Sequence, residues 1–411
     1  MKITGLSNAF PALRHRNFRL FWSGQCISLI GTWMQNVGQA WLVLQLTGSA
    51  WLLGVVSALQ FAPMLFLALF AGVIIDRYPK RKILIATQTI LMLQAFVLAG
   101  LVWAGAIRYW QIVVLAVLLG LVTTIDHPAR QAYVVELVGK TDLMNAIALN
   151  SSIFNAARVI GPAVAGLLMT FLSLSASFLL NGLSFIAVLA GLMLMSDPPQ
   201  IPQAGRHASV LTEVREGLRF ARGSYSIAST LLLMAVVSIF GINFNVLVPV
   251  FAQGELGQTA GGYGFLVSSL GLGALAGAIT LATTSRSGPK TGSLRHSAMA
   301  LGILLIFLGM QKLYWVSLLL LAFAGWAMIV FNASANTSLQ MSTPDHLRGR
   351  VMSLFSLVFV GFSPFGSLYA GGLARLLGAG MTFVVSGAIV VALLVGAGFY
   401  RNRPVGSTPQ F

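Results

Sequence analysis

The feature that most limits what this chain can become is the recurrence of long apolar runs. From residue 18 to residue 400 they follow one another, each near or beyond the ~20 residues a helix needs to cross a bilayer core. With Gly, Pro and charged residues as punctuation, twelve separate: 18–46, 50–75, 83–104, 108–135, 143–172, 175–196, 224–252, 260–283, 294–311, 314–341, 347–375 and 378–400. Backbone in hydrocarbon must satisfy its own N–H and C=O groups, which runs of this length do as helices. At 57% hydrophobic and 8% charged over 411 residues, the chain is too apolar for a soluble protein of that size. The expected fold is an all-α polytopic membrane protein with twelve transmembrane helices.

The distribution of charge supports the count and orients it. The net charge of +16 does not describe a nucleic-acid surface, because the basic residues gather in alternate connections and no soluble domain is present. Of 25 Lys and Arg, 21 fall on the side of the N-terminus; Arg108, Lys312 and Arg375 fall on the other, and Arg158 alone lies inside span five. Basic residues mark the cytoplasmic side, so both termini are expected there. The lone cysteine, Cys26, leaves no disulfide or Cys-rich metal site. The first apolar run is too long for a signal-peptide core and reads as a retained helix.

Residues 197–223 form the longest connection. It opens "DPPQIPQAGRHAS", and Val210, Val214, Leu218 and Ala221 then make an apolar stripe opposite charges, the pattern of a helix lying on the inner membrane surface. It divides a first half, 1–196, from a second, 224–411. "RVIGPAVAG" and "VGFSPFGSLYAG" place Pro162 and Pro364 at matching points of spans five and eleven. Two parallel six-helix repeats are a transporter architecture, with the substrate site between them.

After span two comes "AGVIIDRYPKRK". Gly72, Asp76, Arg77, Arg81 and Lys82 in this connection carry a resemblance to the major facilitator superfamily, whose loop motif is G-x-x-x-D-R/K-x-G-x-R-R/K; Pro79 replaces its second glycine. The resemblance covers essentially the whole chain. It implies a cytoplasmic gate in which Asp76 meets the N-terminus of span eleven with Arg348 and Arg350, a helix end that favours an anion. Arg130 and Glu136, at the same membrane edge, are expected in that gate network. The alternative is that these charges only orient the helices, although an acid adds nothing to that signal.

"LRHRNFRLFWSGQCISLIGTWMQNVGQAWLVLQLTGSA", "DHPARQAYVVELV" and "IGPAVAG" are similar to the bacterial exporter branch that includes enterobactin exporters and macrolide efflux proteins. Gly161, Pro162 and Gly166 resemble the antiporter motif of drug–proton exchangers, which packs helices through small residues. The resemblance implies a monomer in the bacterial inner membrane that exports a small molecule against protons, with no cofactor.

Ionisable groups at membrane depth are functional candidates. Asp126 in span four and Arg158 in span five stand at depths within ~6 Å of each other at 1.5 Å rise per residue. They are expected to pair, either as a proton-coupling site or as a static tether; Arg158 is alternatively an anchor for an anionic substrate. Gln25, Ser28, Thr32, Gln35 and Gln39 share one face of span one. With Asn155, Arg158, Asn243, Asn245, Asn332 and Asn336 they are the candidate cavity lining, and interhelical hydrogen bonding is the competing role. No nucleotide loop, nucleophile motif or metal cluster appears in the sequence, which argues against an ATP-driven pump or a membrane enzyme. A proton-coupled exporter of an amphipathic compound, such as a siderophore, is the leading reading; an uptake symporter or uniporter is the other.

Overall fold

A computed structural model of the protein describes residues 10–196, 218–284 and 292–401, and these hold helices and turns without a strand. The helices are α1 (Arg16–Thr47), α2 (Ala50–Arg77), α3 (Lys80–Trp103), α4 (Tyr109–Val138), α5 (Leu143–Phe171) and α6 (Leu174–Met193). After the connection come α7a (Tyr225–Val236), α7b (Phe244–Gly254), α8 (Ala260–Thr284), α9 (Ser293–Met310) and α10 (Tyr314–Met341). The chain continues as α11a (Asp345–Phe359), α11b (Ser363–Leu377) and α12 (Ala379–Arg401).

These helices follow the twelve apolar runs closely. Eleven passages are long and apolar enough to cross a membrane. The remaining one, α1, carries too many amides on one face, yet it packs between α5 and α6 in the same bundle. Local chemistry sets several ends. Ser49 accepts the N–H of Leu52 and Ser173 that of Ala176, capping α2 and α6. Gly48 stops α1 at φ +59°, a left-handed conformation that glycine adopts without penalty.

Two passages are broken, which the continuous apolar runs did not reveal. A π-helical turn at Val237–Gly241 ends α7a, and the Nδ2 of Asn243 donates to the Ile239 carbonyl at 2.6 Å, serving a backbone group the break would leave open. The second break precedes α11b, where Pro364 occupies the first turn and its missing N–H costs no bond. Its expected counterpart, Pro162, lies inside an unbroken α5. There α8 comes close to the freed carbonyl: a Cβ on Gly271 would stand 2.6 Å from Arg158 O. One residue on, Ser268 Oγ donates to Val159 O at 2.7 Å.

Helices α1–α6 pack largely on one another, as do α7–α12, and two main seams join the groups, α2 against α11b and α5 against α8, with smaller contacts of α7b on α1 and α2. Glycine makes both seams tight. A Cβ on Gly54 would lie 2.6 Å from Ser367 O, and one on Gly264 would lie 2.6 Å from Pro162 O. These contacts sit at the end where α2 begins and α5 finishes, here the far end; the end carrying Asp76 and its basic neighbours is the basic end. Toward the basic end Gly72 of α2 and Gly349 of α11a make no such contact. Phe66 and Phe70 are 68% and 63% exposed, and nothing lies within 4 Å of the place a Gly72 Cβ would take. Of the expected surface helix, Val210 and Val214 lie outside the described residues; Leu218 is exposed and Ala221 buried within a short helical stretch.

Candidate functional site

The charged centre is on α4. Asp126 and Arg130 stand one turn apart, and the Asp126 carboxylate is 1% exposed. Its Oδ1 accepts Thr87 Oγ1 at 2.7 Å and Gln88 Nε2 at 2.8 Å, both from α3. Its Oδ2 is paired with Arg130 Nη2, and Arg130 Nη1 donates to Gln25 Oε1 of α1. The expected Asp126–Arg158 pair is thus corrected: the partner of Asp126 is Arg130. Similar depth says nothing about azimuth, whereas residues four apart share a helix face. His127, exposed, lines a cleft with Asp126 and Arg130 that has room for a few waters.

The polar stripe of α1 divides between two uses. Gln35, 2% exposed, donates to Gln94 Oε1 at 2.8 Å and accepts Asn181 Nδ2 at 2.7 Å, joining α1 to α3 and α6. Gln25 is equally buried and spent on Arg130. Both are interhelical ties. Thr32 donates to Ser28 O within its own helix. Gln39 donates to Gln60 Oε1 at 3.0 Å, and this pair lines a cleft between the halves with Asn36, Ser57, Phe61 and Asn245. Asn36 and Gln60 were missed in the sequence; Asn36 follows Gln35 and so falls off the stripe defined by three- and four-residue steps.

The other amides separate in the same way. Asn245 is exposed and reaches the cleft, whereas Asn243 is buried and bound to its own helix. Asn155 donates to Ser151 O, and Asn336 accepts Gln340 Nε2. Asn332 keeps its buried Oδ1 without a partner. Arg158 keeps both Nε and Nη2 buried and unbonded.

At the basic end the gate residues are not assembled around Asp76. Asp76 and Arg77 are exposed, and Asp76 makes no hydrogen bond or ion pair among the described residues. Arg81 Nε donates to Leu192 O at 2.8 Å, holding the end of α6. Glu136 is paired with Lys80 at 2.7 Å, tying α4 to α3. Arg348 and Arg350 ride on α11a, which packs on α10 and α7a. Of the antiporter-like residues, Gly161 admits α1, with Ile30 O 2.9 Å from where a Cβ would sit, and Gly166 admits α8. Among the described residues no three His, Cys, Asp or Glu gather to hold a metal.

A bundle of two six-helix groups with amides and one ion pair along an internal cleft matches known transporters in both shape and sequence. The chain has 26% identity to a staphyloferrin A transporter of Staphylococcus aureus, over 94% of this chain and 96% of that one. It has 24% identity to macrolide efflux protein A of Streptococcus pyogenes over 92% and 94%, and 26% to an enterobactin exporter of Shigella boydii over 95% and 94%. In fold it is similar to a bacterial homologue of the iron transporter ferroportin in an inward-facing state, with a TM-score of 0.69 and 18% identity over 94% of this chain and 99% of that one. The nucleoside transporter NupG gives 0.73 at 11% identity, covering 94% and 100%. A family model described as transmembrane secretion effector matches residues 7–407. The chain belongs to that family of major facilitator superfamily transporters, and it is a transporter, not an enzyme.

Proposed function

We propose that the protein exports an amphipathic small molecule, siderophore-like or drug-like, across the bacterial inner membrane by alternating access coupled to proton entry. The observation that carries this reading is the one-ended seam. Glycine contacts hold the halves together at the far end, whereas at the basic end Phe66 and Phe70 of α2 are exposed and Gly72 makes no such contact. Basic residues favour the cytoplasmic side, so the cleft loads from inside the cell. The halves, 1–196 and 224–411, would then rock about the cleft, and Asp76 would meet α11a when the basic end shuts. Relatives named as a macrolide efflux protein and an enterobactin exporter support the direction.

Asp126 is the proposed proton carrier, as a buried carboxylate at mid-bundle within reach of a cleft. Protonation would weaken its hold on Arg130, leaving Gln25 as that guanidinium's partner and loosening α4 from α3. The test is transport in inside-out vesicles from cells expressing the chain, screened over siderophores, macrolides and dyes. An acid vesicle interior should drive uptake of at least one compound, and a protonophore should stop it. Accumulation only in right-side-out vesicles, or insensitivity to the protonophore, would replace this reading with uptake or uniport.

A further inference from the structure

We infer that the transported compound is an anion, held through a carboxylate or a comparable two-oxygen group by Arg158; this rests on the transport reading above and names the substrate class. The argument begins with charge. Within the bundle Arg130 is neutralised by Asp126, and Glu136 by Lys80. Among the described residues Arg158 has no such partner, and an uncompensated cation at membrane depth is costly unless something else supplies the counter-charge.

Geometry narrows what that is. The open donors are Nε and Nη2, the adjacent pair along one edge of the guanidinium. Two parallel N–H groups on that edge match the two oxygens of a carboxylate in a bidentate contact. Neutral amides satisfy such an edge poorly. No carboxylate among the described residues fills it, and Asp126, the one expected to, is taken three times over by Thr87, Gln88 and Arg130.

Position supplies the third observation. The backbone of Arg158 lies where the α5–α8 seam ends: its carbonyl faces Gly271, and from Val159 to Thr170 the two helices are in contact. One turn toward the basic end Asn155 is partly exposed, and about two turns along Ser151 is exposed. The residue therefore stands on α5 where that helix meets α8 of the other half. A bound anion there would touch the seam itself and bias which end is shut.

Equilibrium binding tests this without a gradient, so its outcome is separate from that of the export assay. The purified full-length protein in phosphatidylcholine nanodiscs would be titrated with fluorescein, its methyl ester and the cationic dye rhodamine 123, three xanthenes of similar outline. The wild type should bind fluorescein roughly tenfold or more tightly than either of the others, as expected for one charge-assisted bidentate contact. Arg158→Gln should erase the preference, and Arg158→Lys should keep part of it. Equal binding of the three dyes by the wild type, a measurement that needs no variant to fold, overturns the inference. So does an Arg158→Gln protein that melts normally and keeps the preference.

Discussion

Gly54 of α2 and Gly371 of α11b meet face to face at the far end: a Cβ on Gly54 would stand 3.0 Å from Gly371 Cα, and one on Gly371 would stand 2.9 Å from Gly54 Cα. The other seam repeats the arrangement, with Gly264 of α8 against Gly166 of α5. Gly54 and Gly264 are each the fifth residue of their helices. Each half thus offers a glycine from the start of its second helix to the fifth helix of the other. Two equivalent contacts close one end, and side chains larger than hydrogen have no place in them.

Gly54→Val or Gly371→Val should keep the far end from closing. Overpacking of a tight contact costs ~1–3 kcal/mol, and rocking the halves apart relieves it without unfolding either one. Transport should fall about tenfold or more for a cost at the middle of that range, while melting temperature changes little. Spin labels placed across the far end should report longer distances. Normal transport with unchanged distances would show that this seam is not the closing surface.

Asp126→Asn should be costly to the fold, because it leaves the half-buried Arg130 without its carboxylate. Breaking one partner of a buried pair costs ~3–5 kcal/mol. Adding Arg130→Gln should recover part of the loss, read as a double-mutant cycle in thermal unfolding. In vesicles Asp126→Asn should abolish pH-gradient-driven movement while substrate binding persists. Arg158→Ala, by contrast, should leave the Asp126 pair undisturbed, since the two side chains do not meet. A single Asp126→Asn variant that melts and transports like the wild type contradicts both parts.

Asp76→Asn should act on the opposite conformation. With Asp76 exposed and no atom near Gly72, the change disturbs no contact in the open-basic-end form, so stability and affinity should match the wild type. The form closed at the basic end should lose an anion–helix contact worth ~0.3–1 kcal/mol, more if an arginine also pairs with it. Cysteines at Tyr78 and Gly349, in a Cys26→Ser background, should cross-link severalfold more slowly in the Asp76→Asn protein. Equal cross-linking together with full transport removes Asp76 from the gate.

What the sequence determined by itself was everything governed along the chain. Apolar length, backbone self-satisfaction in lipid and the alternation of basic connections placed the twelve passages within a few residues of where the helices lie. The capping serine Ser49 and the left-handed Gly48 act on immediate neighbours, and such effects are local. The breaks in α7 and α11 left only weak marks, Asn243 and Pro364, inside apolar runs that read as continuous.

The tertiary structure decided which polar groups face one another. An intramembrane side chain has a depth that residue counting supplies and an azimuth that it does not. Asp126 and Arg158 agreed in depth, but α4 turns Asp126 toward Thr87 and Gln88 of α3, while Arg158 stands at the α8 seam. Gln25 and Gln35 looked like cavity lining and became ties, because α3, α4 and α6 bring Gln94, Arg130 and Asn181 to meet them. Whether an amide greets a substrate or a neighbouring helix depends on how helices are rotated about their axes. That rotation is settled by packing at many positions at once, among them glycines such as Gly54 and Gly166, whose missing side chains matter only opposite a particular partner.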